Sequence, residues 1–146
     1  MKLLLRKFKN ALFLSARQRK FILLVFWLSI YRNLLLLCNS QKAFTEHICK
    51  KEHIKTSITK EKIAIVKDIA VAIAIVNKYL LWKNVCRHQS WQAVYLLLKY
   101  QIPFEYIVGI HKTKIIKEGH SWVKVNDKFV CGKCNVSDYS IILLQS

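Results

Sequence analysis

Cys86 and His120 are the residues of this chain best equipped for chemistry. A thiolate attacks carbonyl carbon, and an imidazole that titrates near neutrality can take the thiol proton and later hand it to a leaving amine. The pair predicts a cysteine hydrolase with Cys86 as nucleophile and His120 as general base, in a compact region spanning roughly residues 84 to 144. Cys86 opens the string Cys-Arg-His-Gln-Ser-Trp, which places it in the first turn of a helix. There the unpaired N–H groups and the macrodipole favour a thiolate. Arg87 and His88 are expected to add positive charge beside it. A lone cysteine is otherwise commonly a small buried hydrophobe, so the pattern downstream decides between the two.

Those residues have to be carried by elements that the hydropathy pattern defines. Trp91, Val94 or Tyr95, and Leu98 recur at helical spacing, and the helix is expected to stop at Gln101-Ile-Pro103, because a residue before proline is driven out of the α region. Beyond it, Phe104 to His111 and His120 to Val125 alternate as strands, joined by the basic loop Lys112 to Gly119. Phe104, Tyr106, Val108 and Ile110 share a face of the first; in the second, His120, Trp122 and Lys124 lie opposite Ser121, Val123 and Val125. Asn126-Asp127 reads as a hairpin turn into a third strand, Lys128 to Val130, and Tyr139 to Leu144 is a candidate fourth. Helix followed by antiparallel strands is an α+β layout in which a helix-borne thiolate can meet a strand-borne imidazole. Papain-like enzymes are built this way.

Upstream, Glu61 to Leu81 carries Ile63, Val66, Ile69 or Ala70, Ile73, and Val76 or Asn77 at three- to four-residue intervals, a structural helix with Thr59 or Ser57 as its cap. Phe21 to Cys38 is apolar but holds Arg32 and Asn33, and its unbroken part, Phe21 to Tyr31, is too short to cross a bilayer. A buried core or partner-docking helix is the favoured reading. The alternative is a surface anchor, with Arg6, Lys7, Lys9, Arg17, Arg19 and Lys20 against anionic headgroups. Residues 39–60 are polar and Lys-rich, a linker or short helix pair, and Cys49 and His53 within them lack the further ligands of a zinc site.

At 146 residues and 17.2 kDa the chain fits one folding unit. Within it, residues 1–60 form the basic, apolar helical region with its polar linker, and residues 61–146 the catalytic core. Hydrophobic residues make up 53% and Gly and Pro are scarce, which excludes disordered and collagenous classes. The net charge of +17 attracts anionic partners, yet the lysines are dispersed and no aromatic stripe interleaves with arginine, so nucleic acid is not an expected partner. Met1 to Lys20 is basic and the apolar run after it shows no small-residue cleavage site, so it is expected to be retained. Five cysteines, an odd number, fit reduced thiols in the cytoplasm. Cys131 and Cys134 form a single C-x-x-C, one pair short of a structural zinc site.

The string from Cys86 to Pro103, followed by Phe104-Glu-Tyr-Ile-Val-Gly-Ile110 and His120-Ser-Trp-Val-Lys-Val125, resembles the transglutaminase-like leader peptidases of lasso-peptide biosynthesis, in the stand-alone protease form. In that family a Cys opens a helix closed by a Gly-Ile-Pro turn, a strand ends in a small residue after Val or Ile, and a His-Ala-Trp-Val-Glu strand carries the base. The likeness is good over residues 84 to about 131. Here Gln101, Ser121 and Lys124 replace the usual Gly, Ala and Glu. Members with a clear triad acid carry Asp about twelve residues beyond the His, where this chain has Gly132. Asp127 is the nearest acidic candidate for the third catalytic place, in a turn that attracts Asp for its own reasons, and Asp138 is another by proximity.

The resemblance implies an α+β fold, with a helical N-terminal half packed on a transglutaminase- or papain-like helix and antiparallel sheet. It implies a cytoplasmic cysteine peptidase that removes the leader from a lasso precursor and needs no cofactor; the alternative reading of the apolar N-terminal helix adds peripheral contact at the inner membrane face. It also implies two partners besides the precursor: a leader-recognition protein and an ATP-dependent, asparagine-synthetase-like cyclase. The rival readings are a non-catalytic, membrane-peripheral scaffold with a vestigial Cys-His pair, and amide transfer by the same residues.

Overall fold

The computed structural model describes residues 14–37, 57–82, 84–113 and 119–145. The order among them is α1 (Ala16–Leu37), α2 (Lys60–Tyr79), α3 (Cys86–Lys99), β1 (Glu105–His111), β2 (Gly119–Val125), β3 (Lys128–Cys131), a 3-10 turn (Val136–Asp138) and β4 (Tyr139–Gln145). Most of the expected linker, with Cys49 and His53, lies outside the described residues, as do Arg6, Lys7, Lys9 and Cys38.

Each helix has an identifiable local cause. Thr59 caps α2, its hydroxyl accepting the Lys62 N–H at 3.2 Å, and Glu61 and Lys78 match the dipole at the two ends. Val66, Ile69, Ile73 and Val76 form its buried stripe. Ile63 belongs to the same helical pattern but is 36% exposed. α3 begins at Val85 without a side-chain cap. It closes in a Schellman motif: Ile102 N–H reaches Leu97 C=O and Gln101 N–H reaches Leu98 C=O, both at 3.0 Å. Gln101 sits there at φ 51°, the left-handed conformation that glycine adopts without penalty. That explains the family's glycine at this place.

The four strands form one antiparallel sheet in the order β3-β2-β1-β4. Asn126 and Asp127, at φ 47° and 59°, make the two-residue turn between β2 and β3. Tyr106, Val123, Val125 and Val130 join the helices in a continuous core with Phe21, Ile69, Trp91 and Leu97. The fold is α+β, as expected. The other face of the sheet carries Ile107 and Trp122, both buried, with Trp122 lying over Gly109. A Cβ at Gly109 would come within 3.1 Å of the Trp122 ring and 3.0 Å of Tyr139 Cβ, so the small residue of β1 is a requirement of close approach. β4 forms an edge of the sheet and leaves Ile141 to Leu144 exposed.

α1 is core on one side only. Phe21 and Val25 are buried at 1% and 0% exposure, and so are the polar Ser29 and Arg32 at 0% and 2%. Gln92 of α3 donates to the Ser29 hydroxyl at 2.6 Å, and Ser29 in turn donates to Val25 C=O. Arg32 is hydrogen-bonded to His88 and Asn33. Arg17 pairs with Asp68 at 2.5 Å, tying the start of α1 to α2.

Candidate active site

Cys86 is the first residue of α3 and is half-buried. No side chain caps this end, and the earliest helical bonds run from His88 and Gln89 N–H to Val85 C=O. The first N–H groups of the helix are therefore oriented toward whatever sits at its tip. One turn later, Ser90 is fully buried and links the helix to the sheet, with its hydroxyl 3.1 Å from Ser121 Oγ and 3.8 Å from Cys131 Sγ.

His120 lies near the start of β2, opposite Gly109 in the β1–β2 register. Its ring stacks on Trp122 at 5.9 Å and leans on Tyr139 at 5.5 Å between centroids. Its Nε2 is 2.9 Å from the main-chain carbonyl of Gly132. A carbonyl can only accept, so Nε2 carries a proton, and in the neutral ring the lone pair is then on Nδ1. Cys131 and Gly132 are consecutive: Ser90 of α3 contacts Cys131, and the Gly132 carbonyl holds His120, so the end of β3 meets both the helix that Cys86 opens and the imidazole. No hydrogen bond joins Cys86 directly to His120 among the described residues.

Gly132 can take this position only as glycine. Its φ is +68°, and a Cβ there would lie 2.3 Å from Ser121 C=O and 2.9 Å from Trp122 Cα. β3 has just ended, and the chain crosses the start of β2 so closely that only a hydrogen fits.

The acidic candidates are placed elsewhere. Asp127 is exposed in the β2–β3 turn at the far end of β2, roughly 20 Å of strand from His120 at about 3.3 Å per residue. It shapes the hairpin and is not brought to His120, which corrects its expected place as third member of the site. The Asp138 carboxylate accepts from Asn135 at 3.1 Å and Ser137 at 3.4 Å, shaping its own turn. The group held against His120 is a main-chain carbonyl, which residue types alone do not reveal; the one available signal was a glycine twelve places after the histidine.

Electrostatics sharpen the roles. Burial pushes the Cys131 thiol up to about 12, so it stays protonated and inert beside Cys86. Burial also pushes Cys134 upward, and no cluster of metal-ligating side chains occurs among the described residues. His88 is pushed down to about 4, by burial first and then by Arg32 and Arg87. It is neutral at pH 7, so the expected help to a thiolate from a charged His88 is not there.

A family model described as the transglutaminase-like superfamily matches residues 31–144, from the middle of α1 to the end of β4. No curated protein and no solved structure matches the chain. The matched span covers far more than half of the sequence and contains Cys86, His120 and Gly132. The helix-then-antiparallel-sheet order found here is the one expected of such a domain. The chain belongs to the transglutaminase-like superfamily, whose members generally have cysteine-peptidase-type folds.

Proposed function

We propose that the chain is a cysteine peptidase that removes the leader from a lasso-peptide precursor, with Cys86 as nucleophile and His120 as base. The observation that carries the chemistry is the 2.9 Å contact from His120 Nε2 to the Gly132 carbonyl. It holds the imidazole in the tautomer whose Nδ1 can accept a proton, which is the orienting task an acid performs in a triad. Nδ1 takes the Cys86 proton, Sγ bonds to the scissile carbonyl carbon, and N–H groups at the α3 start stabilise the oxyanion. The proton then passes to the leaving amine as the C–N bond breaks. Water, deprotonated by His120, releases the acyl group. The substrate class rests on the Cys86–Pro103 and His120–Val125 strings. With it come the recognition protein, the cyclase and a cytoplasmic site of action.

The direct test incubates the full chain with a lasso precursor and its recognition protein and follows product masses. Cleavage at the leader–core junction is expected, with its loss in Cys86→Ala and His120→Ala; retained cleavage in Cys86→Ala refutes the assignment. A product mass showing an amine in place of water at the acyl carbon would move the reading to amide transfer.

The non-catalytic scaffold is favoured by one observation: no carboxylate is hydrogen-bonded to His120 among the described residues. Iodoacetamide at neutral pH separates the readings. Rapid labelling at Cys86, with Cys131 silent, supports the enzyme. A Cys86 no faster than a free thiol supports the scaffold.

A further inference from the structure

α1 has its polarity reversed relative to an ordinary surface helix. Between Lys20 and Leu37 its polar side chains turn toward the protein: Ser29 and Arg32 are 0% and 2% exposed and bonded to Gln92 and His88. The outer face carries Leu23, Phe26, Trp27, Tyr31, Leu34 and Leu37, which are 40% to 83% exposed. They recur every three or four residues, one stripe about 21 Å long at 1.5 Å per residue. A stripe this continuous, with Ser29 and Arg32 of the same segment buried on the opposite side, is the arrangement of a helix whose outer solvent is hydrocarbon.

Charge narrows the occupant. Arg19 and Lys20 are exposed at the start of α1, beside Arg17, whose charge is paired with Asp68, and the helix contains no Asp or Glu. The preceding residues add Lys2, Arg6, Lys7 and Lys9, within a chain of net charge +17. A protein groove would satisfy the apolar stripe. An anionic surface satisfies the stripe's aromatics and the cations at its end together.

We infer that this face of α1 seats the protein on an anionic lipid bilayer, with the helix lying in the interfacial plane. Against the expectation drawn from the unbroken run Phe21 to Tyr31, the helix continues through Arg32 and Asn33, and α1 as a whole has the length and composition to cross a membrane. Crossing would however strip Phe21 and Val25 out of the core and break the Ser29 and Arg32 bonds to α3. An in-plane helix keeps all of these and buries only the face that is already outward. Trp27 and Tyr31 suit the headgroup boundary, while Leu23, Leu34 and Leu37 enter the acyl region.

The test is co-sedimentation of the full chain with vesicles of phosphatidylcholine alone and of phosphatidylcholine containing about 30% phosphatidylglycerol. Binding to the anionic vesicles is expected, weakened about tenfold or more by roughly 0.5 M NaCl. The doubly substituted Trp27→Ser, Leu34→Ser chain should keep its circular dichroism spectrum, since both positions are exposed, and bind at least about tenfold more weakly. Arg19→Gln with Lys20→Gln should reduce the preference for anionic over neutral vesicles. Cys86→Ala should bind like the unaltered protein, so the result stands apart from the peptidase reading. The inference is overturned if the folded chain leaves both vesicle types in the supernatant, or if the doubly substituted chain binds undiminished. It is also overturned by a stable dimer that ignores vesicles and dissociates on Trp27→Ser, which would make the face a contact between copies.

Discussion

Replacing Gly132 by alanine adds one methyl group at the point where the chain crosses β2, and its cost follows from the local geometry. The new Cβ would start 2.3 Å from the Ser121 carbonyl oxygen, 2.9 Å from Trp122 Cα and 3.0 Å from Trp122 Cβ. Two of these are backbone atoms of a paired strand, which cannot rotate away. Opening the contact to an ordinary separation moves residue 132 by about 1 Å, enough to take the carbonyl out of hydrogen-bond range of His120 Nε2. The left-handed φ costs an L-residue about 1–2 kcal/mol, and a lost hydrogen bond about 0.5–1.5 kcal/mol. With residual strain the total is roughly 3 kcal/mol, a drop in Tm of about 10 °C for a chain of this length. Gly119 is the internal control: a Cβ there meets nothing within 4 Å, so Gly119→Ala should shift stability by less than about 0.5 kcal/mol. Thermal denaturation of both variants reads the stability, and ¹⁵N spectra of the imidazoles read the tautomer. In the unaltered protein the His120 proton belongs on Nε2; in Gly132→Ala that preference should be lost, and peptidase activity with it. A Gly132→Ala protein with unchanged Tm and an unchanged His120 tautomer would refute the reasoning.

Gln101→Gly should stabilise the chain by roughly 1 kcal/mol, because it removes a left-handed glutamine while keeping the Schellman bonds; equilibrium urea unfolding reads this, and a loss of stability would contradict it. His88 gives a pH dependence of definite sign. It titrates near 6.5 when unfolded and at about 4 when folded, so between these values the unfolded chain binds more protons and stability falls as pH falls. The loss is at most about 3 kcal/mol, and less because the ring is partly exposed. His88→Gln should flatten the Tm profile between roughly pH 6.5 and 4, and an unchanged profile would remove His88 as its cause.

Where pattern and local chemistry coincide, the fold was readable from residues alone. The α2 stripe, the start of α3 at Cys86, the Asn126-Asp127 turn, the four strands and the facing sides of the first two all follow from periods of 3.6 and 2 and from turn preferences. The positions of Cys86 and His120 were legible for the same reason, each standing at a recognisable element start. The partner of His120 was not, because a main-chain carbonyl carries no residue label and its position depends on how closely β3's exit crosses β2. Arg32 is a second case. Its charge marked an interruption of an apolar run, whereas its actual direction, inward toward His88, is set by packing between distant segments. The charge state of His88 was misjudged on the same ground, since burial and two nearby arginines are tertiary facts.

The Gln92–Ser29 bond bears on a degeneracy that an apolar helix otherwise has. A cylinder covered with Leu, Ile, Phe and Val can be rolled about its axis and still present grease to a core, each residue step turning it by about 100°. A single buried hydroxyl matched to a buried amide removes that freedom, because any other roll angle takes the acceptor away from the Gln92 amide N–H in a dry interface. Ser29 thus works as an angular key. By choosing which side of α1 is turned inward, it also determines which six large side chains are left facing out.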